Sequence, residues 1–304
     1  MRNYSITYCA ETGGRKMQQY SVEVKREQME EFENYLYERE NAEATVKKYL
    51  SDIRTFFRYL KEDLTINKRK ILGYKVWLME AYAVNSVNSM LAALNQFLDF
   101  LGCGIFKVKR VKVQKTLFLR EEKELNVKEF KKLLKAALEE GKEQLALCME
   151  TIVSTGIRVS ELQFFTVEEV KKDAVIISNK GKYRKIILPK GIKRKLLQFA
   201  KKHEITEGPI FITRNGKPKN RTNIWREMKA LKEKTGIDGD KIFPHNLRHL
   251  FARLYYEVTK DLAGLGDLLG HSSLNVTRIY TSNTEKIYQQ RLNMMNRIKI
   301  ISNT

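Results

Sequence analysis

Pro244-His245-Asn246-Leu247-Arg248-His249 is the part of the chain richest in reactive side chains. Only four histidines occur in the sequence, and two of them stand here, four residues apart with an arginine between them. Proline ahead of a helical pattern suits the first helical position, where its missing N–H costs nothing. At ~100° per residue, Leu247, Leu250, Phe251, Leu254 and Val258 gather on one side of the predicted helix, with His245, Arg248 and His249 on the other. An apolar back with a His-Arg-His front presents that front to a ligand. Two imidazoles at i, i+4 can share a metal, and His271 would be a third ligand. Arg248 between them opposes a nearby cation, and no carboxylate stands in the H-E-x-x-H position, so no metal is expected.

Three shorter segments supply partners. Thr155-Gly156-Ile157-Arg158-Val159-Ser160-Glu161-Leu162 sets an arginine just past a glycine stop, where a surface Arg158–Glu161 pair would contribute only tenths of a kcal/mol, roughly. Leu268-Leu269-Gly270-His271 sets a histidine past another glycine stop, a position that also suits plain helix capping. Thr277-Arg278-Ile279-Tyr280-Thr281 follows. Each is weak alone.

The charge narrows what such groups act on. There are 57 basic and 36 acidic residues in 304, a net charge of +21, more than solubility asks for. Lysines and arginines that neutralise phosphates release counterions, so a polyanionic nucleic acid is the expected partner. No apolar run approaches the ~18–20 residues of a membrane span, and the start lacks a signal-peptide pattern, so a cytoplasmic protein is expected. Cys9, Cys103 and Cys148 are too scattered for a disulfide framework and read as buried thiols of a reducing compartment.

The elements that must position these residues fall into segments. Residues 1–24 are mixed and polar, a flexible arm or a short strand. Residues 25–104 read as a small helical domain. Val46, Tyr49, Leu50, Ile53, Phe57 and Leu60 recur at helical spacing, as do Met90, Leu91, Leu94, Phe97, Leu98 and Leu101, and Gly102-Cys103-Gly104 ends the last helix. Lys47, Lys48, Arg54 and Arg58 on the polar side of the first set are candidate DNA contacts. In residues 105–124, Lys107, Lys109, Arg110, Lys112 and Lys115 alternate with Val108, Val111 and Val113, an extended basic linker able to follow a phosphate backbone. A second domain, 125–304, opens with the capping-box pair Asn126 and Glu129. Ala174-Val175-Ile176-Ile177 and Lys185-Ile186-Ile187-Leu188 are β-branched runs around Asn179-Lys180-Gly181-Lys182, which has hairpin turn chemistry.

Taken together, the segments resemble the tyrosine recombinase (integrase) family. Its members show an arginine in a T-G-x-R-x-x-E-L context, a lysine in a hairpin turn, then H-x-L-R, L-G-H and a tyrosine in an I-Y-T context. All five stand here in that order, with Asn179 in place of the usual first glycine of the lysine motif. The resemblance covers residues 25–300 or so. It implies a mainly α fold with a small antiparallel β-sheet, an N-terminal SAM-like helical core-binding domain and an α+β catalytic domain with a tail helix. By motif, the catalytic set carried over is Arg158, Lys180, His245, Arg248, His271 and Tyr280.

The chemistry of a phosphodiester suits these types. Two guanidiniums, Arg158 and Arg248, would hold its non-bridging oxygens and the charge of a five-coordinate transition state. Tyr280 would attack with His245 as base, Lys180 would protonate the leaving 5′-oxygen, and His271 would bond the phosphate. A 3′-phosphotyrosyl link would result, with no cofactor. Lys182 and Lys185 stand near the same turn, and Tyr183, Tyr255, Tyr256 and Tyr288 are other phenols. Glu161 reads as an orienting partner for a basic side chain.

The resemblance further implies double-stranded DNA with specific recombination sites, a homo-tetramer on DNA and DNA-bending accessory factors. Residues 1–24 are short for an arm-binding domain, so the likeness is to Xer-type enzymes or small integrases of mobile elements. Ile287, Leu292, Met295 and Ile298 form a loose stripe that either packs on its own domain or docks on a neighbouring protomer. A topoisomerase of type IB and a non-catalytic DNA-binding regulator are the competing readings.

Overall fold

A computed structural model of the chain describes residues 5–8, 18–112, 123–172, 174–179 and 182–270. They form two compact units, Met1–Lys115 and Thr116–Thr304.

The first unit is built on α1 (Gln28–Glu38), α2 (Glu43–Leu60), α3 (Lys68–Ala81) and α4 (Val84–Phe100). Its core joins the two predicted stripes: Val46, Leu50, Ile53, Phe57 and Leu60 of α2 are buried with Met90, Leu91, Leu94, Phe97 and Leu98 of α4. Burial of each such side chain contributes ~1.5–3 kcal/mol. Gly102, at φ +71°, lets the chain leave α4, and the Cys103 N–H closes the end on the Leu98 carbonyl. Residues 18–24 are not a free arm. β2 (Gln18–Glu23) pairs antiparallel with β1 (Ser5–Tyr8) and with β3 (Thr65–Asn67), and Val24 is fully buried. The strand was hard to see because its inner partner is three residues long and lies beyond two helices in the chain.

The predicted linker is also partly anchored. Residues 104–112 lie between α3 and α4, with Phe106 and Val108 buried in the same core. Asn95 on α4 brackets Val108, donating to its carbonyl at 2.9 Å and accepting its N–H at 3.0 Å; Asn88 does the same for Val111 at 3.0 and 2.8 Å. The spacing explains the fit: seven helical residues rise about 10.5 Å and three extended residues span about 10 Å. On the other side, Lys68 and Lys75 of α3, again seven apart, donate to the carbonyls of Phe106, Lys107 and Lys109. Residues 113–122, with Val113 and Lys115, lie outside the described residues.

The second unit is helical around one hairpin. α5 (Val127–Glu139), α6 (Glu143–Thr155), α7 (Val167–Lys171), α8 (Lys190–Lys202), α9 (Arg221–Lys229), α10 (Lys232–Thr235), α11 (Pro244–Thr259) and α12 (Leu262–Leu269) accompany the antiparallel pair β4 (Ala174–Asn179) and β5 (Lys182–Ile187). Asn126 and Glu129 form the predicted capping box of α5. α6 is apolar nearly all round, so it is buried on several faces, against α5, α8, α9 and α11. Cys148 lies within it, fully buried, and Cys103 is buried in the first unit; both are free thiols.

Candidate active site

The site forms where α6, α11, α12 and the hairpin meet. α6 ends at Gly156, whose φ of +66° belongs to the left-handed region, and a Cβ there would stand 2.3 Å from the Phe251 ring of α11. Glycine is needed on both counts. The chain then runs extended through Arg158 into a 3-10 turn, Val159–Phe164. Glu161 in that turn reaches back. It accepts the Arg158 backbone N–H at 2.7 Å and an Arg158 Nη1 donor at 3.1 Å. Glu161 is 1% exposed. Glu161 is therefore a buried carboxylate that fixes the base of Arg158, an orienting partner as read from the sequence and not half of a surface pair, while the Arg158 side chain stays 43% exposed.

Arg248 corrects a second expectation. The helical wheel set it on an open front, yet it is 2% exposed. Its Nη1 donates to the Gly156 carbonyl at 2.6 Å and its Nη2 to the Leu269 carbonyl at 2.7 Å. These carbonyls end α6 and α12, where helix dipoles present partial negative charge. A wheel cannot show that α12 folds over that side of α11. Val258, placed on the apolar back, is instead 84% exposed near the free end of α11.

His245 stands one turn earlier, at the open edge, with its ring 4.4 Å from that of half-buried His249. Protein packed behind the imidazole, then the charges of Arg248 and Arg158, hold its pKa below the ordinary histidine value. The two guanidiniums and the imidazole thus share one electrostatic neighbourhood, and the imidazole is kept neutral, as a proton acceptor must be. Beside it opens a cleft of about 550 Å³ lined by Trp225, Phe243, Arg221 and Lys229. No cluster of three or more metal-ligating side chains occurs among the described residues.

α12 starts on its Asp261 cap and stops at Gly270, φ +62°. His271 and Tyr280 lie beyond it, outside the described residues, as do Lys180 and the tail with Ile287, Leu292, Met295 and Ile298. The hairpin register ends on the pair Asn179 and Lys182.

One side chain at the site was overlooked in the sequence. Arg184 pairs across the hairpin with Ile177, on the face that also carries Val175 and Ile186, and that face is the core face. It donates from Nη2 to Glu161 at 2.5 Å and from Nη1 to the Leu268 carbonyl at 3.3 Å. Strand parity with Ile186 and Leu188 was the available signal: an arginine in phase with buried aliphatics needs a buried acceptor.

The sequence pattern described as the phage integrase family matches residues 123–286, and that of its N-terminal SAM-like domain matches residues 29–102. The chain belongs to the phage integrase family. It is a tyrosine recombinase, an enzyme that breaks and rejoins DNA. Among its relatives, tyrosine recombinase XerA of Pyrococcus furiosus is 28% identical over 285 residues, covering 90% of this chain and 95% of that one. Tyrosine recombinase XerC of Pediococcus pentosaceus is 30% identical over 289 residues, covering 85% and 94%. In fold, the recombinase resembles a lambda integrase tetramer bound to a Holliday junction, with a TM-score of 0.67 and 21% identity over 85% of this chain and 77% of that one. The mainly helical architecture with two small antiparallel sheets agrees with that family, one sheet more than the sequence suggested.

In the recombinase's first unit, Lys47, Arg54 and Arg58 fall within one turn-to-turn stripe of α2, all exposed, with Lys48 one step round the helix. Lys47 pairs with Glu43 at 2.5 Å, Lys48 with the largely buried Asp52, and Arg58 donates to Thr55. Lys107, Lys109, Arg110 and Lys112 are exposed along the anchored strip, with Lys107 paired to Asp99 at 2.6 Å. No helix among the described residues is long and apolar enough to cross a membrane.

Proposed function

We propose that this recombinase performs site-specific strand exchange through a 3′-phosphotyrosyl intermediate with Tyr280 as nucleophile. The observation that carries the reading is the convergence of Arg158, Arg248 and His245 at the end of α12, the helix from which the chain continues into His271 and Tyr280. Arg158 and Arg248 hold the non-bridging oxygens of the scissile phosphate. The Tyr280 oxygen forms a bond to phosphorus as the bond to the 5′-oxygen breaks. Neutral His245 takes the phenol proton, Lys180 gives one to the departing 5′-oxygen, and His271 bonds the phosphate. The 5′-hydroxyl of another strand then reverses the sequence, so no external energy source enters.

Double-stranded DNA with defined recombination sites is the substrate in this reading. The helical unit from about residue 25 grips it with Lys47, Lys48, Arg54 and Arg58, the segment 105–124 follows its backbone with Lys107, Lys109, Arg110 and Lys112, and residues 125–304 hold the catalytic centre. Four copies act together, as in the lambda integrase tetramer. The tail from Glu285 links neighbours, DNA-bending factors assist, and the protein works in the cytoplasm at the nucleoid.

The test is covalent trapping on nicked duplexes selected from a random-sequence pool for attachment to the wild-type chain. A DNA–protein adduct that maps to Tyr280, and its absence in Tyr280→Phe with DNA affinity kept, is the expected result. An adduct mapping to Tyr183 or another phenol overturns the assignment.

A further inference from the structure

The mechanism above leaves Arg184 unused. Its placement follows from strand parity, which turns it inward beside Ile177 and Ile186. There its guanidinium joins three elements. It belongs to β5, binds Glu161 of the 156–161 loop, and binds the Leu268 carbonyl in the last turn of α12. Glu161 uses the same oxygen, Oε2, for the Arg158 backbone N–H and for Arg184. Anything that shifts Arg184 therefore shifts the carboxylate that seats Arg158.

Gly270 fits the same picture. A Cβ at that position would stand 2.7 Å from Arg184 Nη1 and 3.0 Å from its Cδ, so the glycine that ends α12 also makes room for this arginine. A second clamp runs parallel to the first: Arg248 joins the Gly156 carbonyl to the Leu269 carbonyl. Two adjacent carbonyls at the end of α12 are thus each tied by a guanidinium to the loop that carries Arg158. Stability alone does not call for Arg184. Its Nε–H is buried without an acceptor among the described residues, and well-packed apolar groups commonly do as well as a buried ion pair.

We propose that Arg184 is a positioning residue that ties the Arg158 loop to the end of α12, so that the phosphate-gripping guanidinium and the segment leading to the nucleophile are held in one geometry. This rests on the recombinase mechanism above. Only a fork with two separated N–H donors spans both acceptors; a lysine reaches one. The Arg248 clamp remains in an Arg184 variant and keeps the fold together.

The test uses the full chain and the selected nicked duplexes, prepared both with ordinary phosphates and with a 5′-bridging sulfur at the scissile position. Sulfur leaves without needing a proton, so it restores a defect in leaving-group protonation alone. Arg184→Met is expected to form adduct about 100-fold more slowly on both substrates, as for a misplaced reacting group, with DNA affinity within about twofold, well under the tenfold of 1.4 kcal/mol. Arg184→Lys, which keeps the charge and guards against misfolding, is expected to be as slow. Glu161→Gln combined with Arg184→Met is expected to be no slower than the slower single variant. Wild-type rates in either Arg184 variant, full restoration by sulfur, or multiplied effects in the double variant each overturn the proposal while leaving Tyr280 chemistry intact. No adduct with the wild-type chain removes the mechanism on which it rests, and the proposal with it.

Discussion

The two units of this recombinase use the same cationic side chains in opposite ways. On α2, Lys47, Arg54 and Arg58 stand in water along one stripe. In the second unit, Arg184 and Arg248 are turned inward and tied to carbonyls and a carboxylate. Exposed charge attracts a polyanion at long range and tolerates imprecision, because each phosphate contact adds a similar increment. Inward charge is costly to desolvate and persists where defined acceptors meet its main donors, as the Nη groups of both arginines are met here. The first arrangement suits gripping a backbone. The second suits a reaction that a displacement of about 1 Å would slow.

The sharpest way to break this contrast is at Arg248. Arg248→Ala leaves the Gly156 and Leu269 carbonyls without their donors and removes a phosphate ligand in the proposed mechanism. Loss of about 3 kcal/mol in urea unfolding and of adduct formation by more than about 10²-fold is expected; an unchanged unfolding midpoint would show the clamp to be incidental.

Asn95→Ala asks whether the anchored strip depends on its asparagines. The Val108 N–H and carbonyl lose their partners together, for about 2 kcal/mol of stability. Binding to DNA should weaken mainly through the loosened strip, read as faster amide exchange at residues 106–112. Unaltered exchange there would mean that Lys68 and Lys75 suffice.

His245 offers a subtler test. Its depressed pKa means that the neutral imidazole persists to a pH below 6.5, the ordinary histidine value. With His245 as the proposed base, the acid limb of the cleavage rate should therefore fall with an inflection below that value. Because folding holds this group neutral, its contribution to stability is present above 6.5 and diminishes as pH falls through the lowered pKa. Arg158→Gln removes one of the repelling charges, so the ring's NMR titration should move up towards 6.5. A downward move would contradict the shared neighbourhood.

The smallest effects belong to the exposed stripe. Arg54→Gln and Arg58→Gln should each lower the slope of log affinity against log salt by about 1 and change unfolding by no more than about 0.5 kcal/mol. Unchanged salt slopes would take these residues out of the DNA interface.

Much of the architecture is legible in the sequence. Helical periodicity located α2 and α4, Asn126 and Glu129 announced the start of α5, Pro244 the start of α11, and Gly156 and Gly270 the ends of α6 and α12. These are local effects, set by backbone sterics and by side chains three or four residues apart, so nearby sequence determines them. The ordered motifs likewise named Arg158, His245 and Arg248 as partners.

What only the tertiary structure decided is which way each charged group faces. β2 found β3 across two intervening helices, and residues 104–112 found asparagines set two helical turns apart. Arg248 turned inward because α12 covers its side of α11, and Glu161 was buried because β5 delivers Arg184 to it. Contacts between segments distant in the chain leave no periodic trace, and burial of a charge depends on acceptors that distant segments bring; neither can be read from neighbouring residues.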